Sequence, residues 1–232
     1  MTNMAEGAAT AAGLAVCKEV SRVFGVGANA VVAVHGTSCA VRPRARIALI
    51  GPSGSGKSTL LHLLAGLEQP TSGTVSWPAL GQQAHDRAAQ IGVVFQGPSL
   101  IPTLTVAENV ALPLVLAGVQ GADQRAADAL DLLELAVLAP KLPEELSGGQ
   151  AQRVAVARVM AQRPHLVLAD EPTGQLDRAT GLRLVEVLLD TVNHIDAALL
   201  VSTHDTAVAE RLDTHWTMDR GRLRTAPTVV GP

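Results

Sequence analysis

The chain has 232 residues, enough for one sizeable α/β domain or for a domain with a subdomain inserted into it. Apolar residues make up 47% and aromatics 2%, with no tyrosine, so a large core is available but must be built from Ala, Val, Leu and Ile. The formal net charge is −3 and no Lys- or Arg-rich run stands out, which leaves nucleic acid outside the expected partners, because binding a phosphate backbone needs clustered cations.

In chain order, Met1 to Leu14 is small and polar, with one Glu and neither Lys nor Arg. It lacks the positive start and apolar stretch of a secretory leader and reads as a loose tail before a single domain over 15–232. Nowhere do about 18 uninterrupted apolar residues occur, so no membrane-spanning helix is expected. Cys17 and Cys39 are the only cysteines, and neither sits in a CxxC or Cys/His cluster. Their spacing excludes a disulfide framework, leaves a single disulfide open, and fits a reducing compartment. Val31 to Val34 and Ala40-Val41 read as short antiparallel strands.

Arg46 to Ile50 is a continuous apolar run, and Ile91 to Phe95, Leu166 to Ala169 and Ala198 to Val201 are three more. Such runs predict strands covered on both faces, as in a parallel sheet. Each is followed at once by glycine or polar residues: Gly51, Gln96, Asp170-Glu171 and Ser202-Thr203-His204. Ligands of open α/β sheets bind at the carboxyl ends of the strands, where these residues fall. Thr71-Ser72-Gly73 is a turn before a strand over Thr74 to Trp77. Ala127, Leu130, Leu133 and Val137 recur at helical spacing and predict a helix over Asp123 to Leu138. Gly149 to Gln162 reads as a second helix, closed by Pro164. A mainly helical subdomain is therefore expected at about 97–162, between two sheet strands. Asp219-Arg220-Gly221-Arg222 is the turn of a C-terminal hairpin.

Three short motifs carry chemistry. Gly51-Pro52-Ser53-Gly54-Ser55-Gly56-Lys57-Ser58-Thr59 matches G-x-x-x-x-G-K-[ST] between a strand and the helix Ser58 to Ala65. Its glycines let backbone N–H groups turn toward a phosphate, and the helix start adds its positive end. Lys57 supplies a charge for the β- and γ-phosphates, and Ser58 a hydroxyl for Mg²⁺. Asp170-Glu171 ends an apolar strand. Alone such a pair also serves as a helix cap or turn; beside a P-loop, one carboxylate suits Mg²⁺ and its neighbour suits the attacking water. Leu146-Ser147-Gly148-Gly149-Gln150 brings a hydroxyl and glycine N–H groups to the start of a helix, a second phosphate-binding start in one chain.

P-loop, LSGGQ and acidic pair together resemble the nucleotide-binding subunit of an ABC transporter, over roughly residues 18 to 224. The resemblance implies a P-loop NTPase (RecA-like) α/β core with a mostly parallel sheet, an antiparallel β-subdomain and an inserted α-helical subdomain. It implies ATP and Mg²⁺ as cofactors, with Ser58, Gln96 and Asp170 on the metal side. Glu171 matches the family's general base or water-positioning group. Gln96 matches the glutamine that senses Mg²⁺ and water and couples to the membrane partner. His204 matches the histidine that touches the γ-phosphate, and Asp177 an aspartate that contacts the opposite subunit, with a helix N-cap as the alternative there. The family stacks adenine on an aromatic upstream of the P-loop, and Phe24 is the only Phe, Tyr or Trp before Gly51. In the family each ATP lies between one subunit's P-loop and the other's LSGGQ, so the implied partners are a second copy of this chain and an integral membrane permease, at the cytoplasmic face of the inner or plasma membrane.

Pro172-Thr173-Gly174 and Thr105-Val106-Ala107-Glu108-Asn109-Val110 resemble the lipoprotein-releasing, macrolide-exporting and cell-division group, whose membrane subunit is FtsX- or MacB-like. Amino-acid importers share much of this pattern and are the alternative. A soluble ABC ATPase usually carries a long coiled coil, zinc-binding cysteines or tandem halves, none of which is present. The chain departs from the group in a shorter segment between Lys57 and Gln96, missing near Trp77 to Ala89, and in Gln175, where Asn is commoner.

Overall fold

The computed structural model describes residues 13–81 and 89–225. Strands β1 (Ala15–Phe24), β2 (Val31–Val41) and β4 (Ser72–Ser76) form an antiparallel sheet in the order β2-β1-β4. The second sheet has the order β5-β6-β7-β3-β8-β9, from β3 (Arg46–Ile50), β5 (Ile91–Val94), β6 (Leu166–Asp170), β7 (Ala198–Thr203), β8 (Thr214–Asp219) and β9 (Arg222–Thr225). It is parallel from β5 to β8, and the β8–β9 hairpin closes one edge. The helices are α1 (Lys57–Ala65), α2 (Val106–Leu116), α3 (Ala122–Leu132), α4 (Gly148–Met160), α5 (Arg178–His194) and the short α6 (Thr206–Ala209).

Alternation of side chains across the parallel strands divides the core in two. Val167, Ala169, Leu199 and Val201 join one cluster with residues of α4 and α5; Leu166, Leu168, Ala198 and Leu200 join the other with Leu60, Leu61, Leu63 and Leu64 of α1. Both faces are covered, which is why these strands read as unbroken apolar runs. Helices α1 and α4 consequently sit on opposite faces of the sheet.

Several expectations shift. The strand inferred at Val31 to Val34 runs on to Val41 and pairs with β1, which the sequence hid. Irregular register near Val20 and a left-handed Glu19 (φ 48°) break β1's alternation. Cys17 and Cys39 stand opposite each other on β1 and β2 as free thiols. A hydrogen bond with Cys17, then burial, pushes the Cys39 thiol well above its ordinary range. The helix expected over Asp123 to Leu138 ends at Leu132, and Ala136–Leu138 is a separate turn beyond Glu134 (φ 56°). Its buried face is Ala122, Ala126, Ala129 and Leu130, while Ala127 and Val137 are exposed. Leu14, placed in the loose tail, is buried and donates its N–H to Val41 O at 2.8 Å. The rest of that tail up to residue 12, the 82–88 part of the shortened segment, and 226–232 lie outside the described residues.

Candidate active site

Strand β3 delivers the chain into Gly51, and α1 takes it away at Lys57. Gly56 has φ 102°, and a Cβ there would collide with the Ala33 carbonyl of β2, so only glycine closes this loop. Among the described residues no side chain caps the start of α1. Lys57 is 4% exposed, and its Nζ donates to Gly51 O at 2.8 Å and Pro52 O at 3.1 Å. Among the described residues Ser55 Oγ is buried without a hydrogen-bond partner. Pro52, Ser53, Gly54 and Ser58 are exposed, and Thr59 is half-buried.

Beside this loop, β6 ends in Asp170 and the chain turns at Glu171. Glu171 Oε1 lies 3.2 Å from Lys57 Nζ, and its Oε2 lies 3.3 Å from His204 Nδ1. One carboxylate thus bridges the P-loop lysine and a histidine that follows β7. Glu171 has φ 41°, a left-handed conformation uncommon outside glycine and concentrated at functional sites. Asp170 is buried, and its Oδ1 accepts the Ser202 hydroxyl at 2.5 Å.

Gln96 is exposed just beyond β5 and packs against Gly174, where a Cβ would come within 3.1 Å of the Gln96 amide nitrogen. Its loop is tied to α4. Gln152, buried on an Ala- and Val-rich face, donates to Phe95 O at 2.9 Å, and Arg158 donates to Ser99 O at 2.8 Å and Pro98 O at 3.2 Å. Neither residue stood out in the sequence. A polar residue on an apolar helix face was the available signal for Gln152, since a buried amide needs a partner.

Helix α4 opens with a capping box. Ser147 Oγ accepts the Gln150 N–H at 3.3 Å, and Gln150 Oε1 accepts the Ser147 N–H at 2.9 Å. Ser147 and Gly148 are exposed, and Leu146 packs on the core. Gly149 abuts α5, where a Cβ would lie 2.8 Å from Thr180 Cγ2. Thr180 belongs to the cap of α5: Asp177 accepts the N–H groups of Ala179 at 3.0 Å and Thr180 at 3.1 Å, and the Thr180 hydroxyl at 2.6 Å. That hydroxyl, with the backbone bonds, holds the Asp177 carboxyl below the usual carboxylate range. Within this chain Asp177 is therefore a helix N-cap. The concavity beside the signature, lined by Ser147, Gln150, Arg153, Thr180 and Arg183, includes no P-loop residue.

Phe24 ends β1 and is 40% exposed. Across the ladder it pairs with Val31, two positions from the Ala33 that abuts Gly56. The Arg22 guanidinium lies 4.5 Å from its ring centroid and also pairs with Glu68 at 2.9 Å.

Residues 34–174 match the family model described as ABC transporter. The chain belongs to that family. Among its relatives, the lipoprotein-releasing system ATP-binding protein LolD of Legionella pneumophila (strain Paris) is 44% identical over 209 residues, covering 85% of this chain and 91% of that protein. An uncharacterised ABC transporter ATP-binding protein of Mycobacterium tuberculosis (strain CDC 1551 / Oshkosh) is 46% identical over 187 residues, covering 76% of this chain and 75% of that protein. A solved dimeric ATP-binding cassette in a post-hydrolysis state, bound to ADP and Pi, superposes with a TM-score of 0.78 at 33% identity, over 91% of this chain and 98% of that one.

The protein is thus an ATP-binding, ATP-hydrolysing subunit of an ABC transporter, of the LolD type. Its P-loop suits a triphosphate: an uncapped helix start, a buried lysine and an unpaired Ser55 hydroxyl face one loop. The oxygen donors near that loop also suit Mg²⁺, which takes one or two carboxylates and otherwise water and phosphate oxygens. Asp170 Oδ2 takes no hydrogen bond from any described residue, and Ser58 and Gln96 are exposed. Among the described residues no helix is long and apolar enough to cross a membrane.

Proposed function

We propose that two copies of this chain close head to tail around two Mg-ATP and drive an integral membrane permease of FtsX- or MacB-like type from the cytoplasmic face of the membrane. In each site the P-loop Gly51 to Thr59 of one protomer cradles the triphosphate, with Lys57 on the β- and γ-phosphates and Phe24 against the adenine. Ser58, Asp170 and Gln96 hold Mg²⁺, which supplies charge neutralisation of the phosphates when bound. Leu146 to Gln150 of the other protomer cover the γ-phosphate, and Asp177 meets the opposite subunit.

The observation that carries this reading is that two glycine-rich helix starts belong to helices on opposite faces of one sheet, α1 with the Leu60 cluster and α4 with the Val154 cluster. Joining them on one phosphate calls for a second copy. Glu171 then orients the attacking water and takes its proton, while His204 contacts the γ-phosphate. Proton transfer to such a base contributes about 10²–10⁴-fold to rate. Glu171 lies 3.2 Å from Lys57 Nζ and 3.3 Å from His204 Nδ1. A bound γ-phosphate would compete for Lys57 and His204 and free the carboxylate for water.

Glu171→Gln tests the arrangement. Hydrolysis falls by at least about 100-fold, ATP stays bound, and the variant migrates as a dimer with Mg-ATP in size-exclusion chromatography. Hydrolysis at the wild-type rate removes Glu171 from this role. A pull-down with that variant from detergent-solubilised membranes brings a polytopic protein; recovery of soluble proteins alone overturns the permease partner.

A further inference from the structure

Ser202 lies in β7, fully buried, with Asp170 of β6 as its register partner. The four residues before it, Ala198 to Val201, are apolar and buried, so packing alone asks for nothing polar here. Yet its side chain stands between the two acidic residues. Its Oγ donates to Asp170 Oδ1 at 2.5 Å and accepts the Glu171 N–H at 3.0 Å, while its own carbonyl accepts the same N–H at 3.1 Å. The directions are fixed by valence: the Glu171 amide can only donate, so the single hydroxyl proton goes to the Asp170 carboxylate. A short O–H···O⁻ bond of this kind is among the stronger ones available to a side chain.

We infer that Ser202 is the positioning residue of the acidic pair. Its proton fixes the rotamer of Asp170 and leaves Oδ2 for the cation. Its acceptor and carbonyl hold the Glu171 backbone in the left-handed turn (φ 41°) that brings the carboxylate between Lys57 and His204. One buried hydroxyl therefore sets the angle between the metal-side and water-side carboxylates. Partners of this kind, one bond removed from a metal, typically govern about 10–100-fold in metal affinity or activity. The inference rests on the proposed role of Asp170 in holding Mg²⁺.

The test uses the full chain carrying Ser202→Ala or Ser202→Cys. Cysteine is slightly larger than serine and only a weak donor, so it reads the hydrogen bond even if the alanine variant does not fold. Two measurements are made: the affinity of a fluorescent ATP analogue with EDTA and with Mg²⁺, and the Mg²⁺ dependence of ATPase activity. Both variants should bind the analogue with EDTA as the wild type does and lose most of the tightening on adding Mg²⁺. The Mg²⁺ concentration for half-maximal activity should rise about 10-fold, with kcat falling more than KM changes. An unchanged Mg²⁺ response in both variants, or a fall in kcat equal at every Mg²⁺ concentration, overturns the inference and leaves Ser202 as strand packing. Asp170→Asn separates the layers. If it keeps the wild-type Mg²⁺ tightening, the assignment of Asp170 fails; if it loses it while the Ser202 variants do not, only the role of Ser202 fails.

Discussion

Two helices of this chain begin with glycine-rich sequences, and they begin differently. Helix α1 has no side-chain cap, a left-handed glycine before it and a buried lysine as its first residue. Helix α4 satisfies itself through the reciprocal bonds of Ser147 and Gln150. The first start is held ready by the fold around it: β2 and β8 press on the loop so closely that Gly51 and Gly56 admit no side chain. The second is exposed and, in the proposed dimer, must survive alone until another protomer's nucleotide arrives. A cap suits that need. The Gln150 N–H uses only an acceptor lone pair of the Ser147 hydroxyl, leaving its proton to donate to a phosphate, and the glycine N–H groups of the first turn stay outward. Open donors in a loop braced by β2 and β8, against capped donors on an exposed edge, would be the physical difference between the proposed cis and trans sites.

The contrast can be broken from either side. The largest effect is expected from Lys57→Ala, which removes a charge-assisted contact to phosphate worth about 1.5–3 kcal/mol. ATP affinity of the monomer should fall about 10- to 100-fold, as read by fluorescence titration with an ATP analogue. Ser147→Ala should leave that monomer affinity unchanged. It should weaken ATP-driven dimerisation in the Glu171→Gln background and, through the lost cap of about 1 kcal/mol, lower Tm by about 3 °C. A loss of monomer ATP affinity in Ser147→Ala would erase the cis–trans distinction. The smallest effect concerns Asp177. Its folded-state pKa is depressed, so the stability it contributes is present at neutral pH and is lost as pH falls through that depressed value. Thr180→Ala, which removes the largest cause, should move the Asp177 titration up toward the ordinary carboxylate range in NMR. Acid melts should then show a smaller loss at that step.

What could be read in advance depended on how local the cause was. The P-loop, the acidic pair and LSGGQ are short and their chemistry is written in consecutive residues, so their strand-end and helix-start positions were legible. The parallel strands were legible because burial on both faces leaves an uninterrupted apolar run. Strand β1 was not, because its irregular register and the left-handed Glu19 scramble the alternation. Helix α2 gives no clear apolar stripe and carries Pro113 in its interior, where its Thr105–Glu108 capping box marks the start better than its periodicity does. The end of α3 was overrun because Leu133 and Val137 continue the helical spacing past Leu132, whereas Glu134 (φ 56°) turns the chain out of the helix. The role of Ser202 needed the structure: its partners lie 32 and 31 residues away and meet it only across the β6–β7 ladder.

The bonds from Gln152 and Arg158 to the backbone around Gln96 have a consequence for timing. They make α4 and that loop one moving part, since displacing the helix alone would break three hydrogen bonds costing about 1 kcal/mol or more each. In the proposed dimer the front of α4 touches the nucleotide belonging to the other protomer, whereas the loop it grips touches its own. Each protomer is then a rocker with one end on either ATP. In that dimer, phosphate leaving one pocket would be felt at the metal side of the second, which would gear the two turnovers to each other.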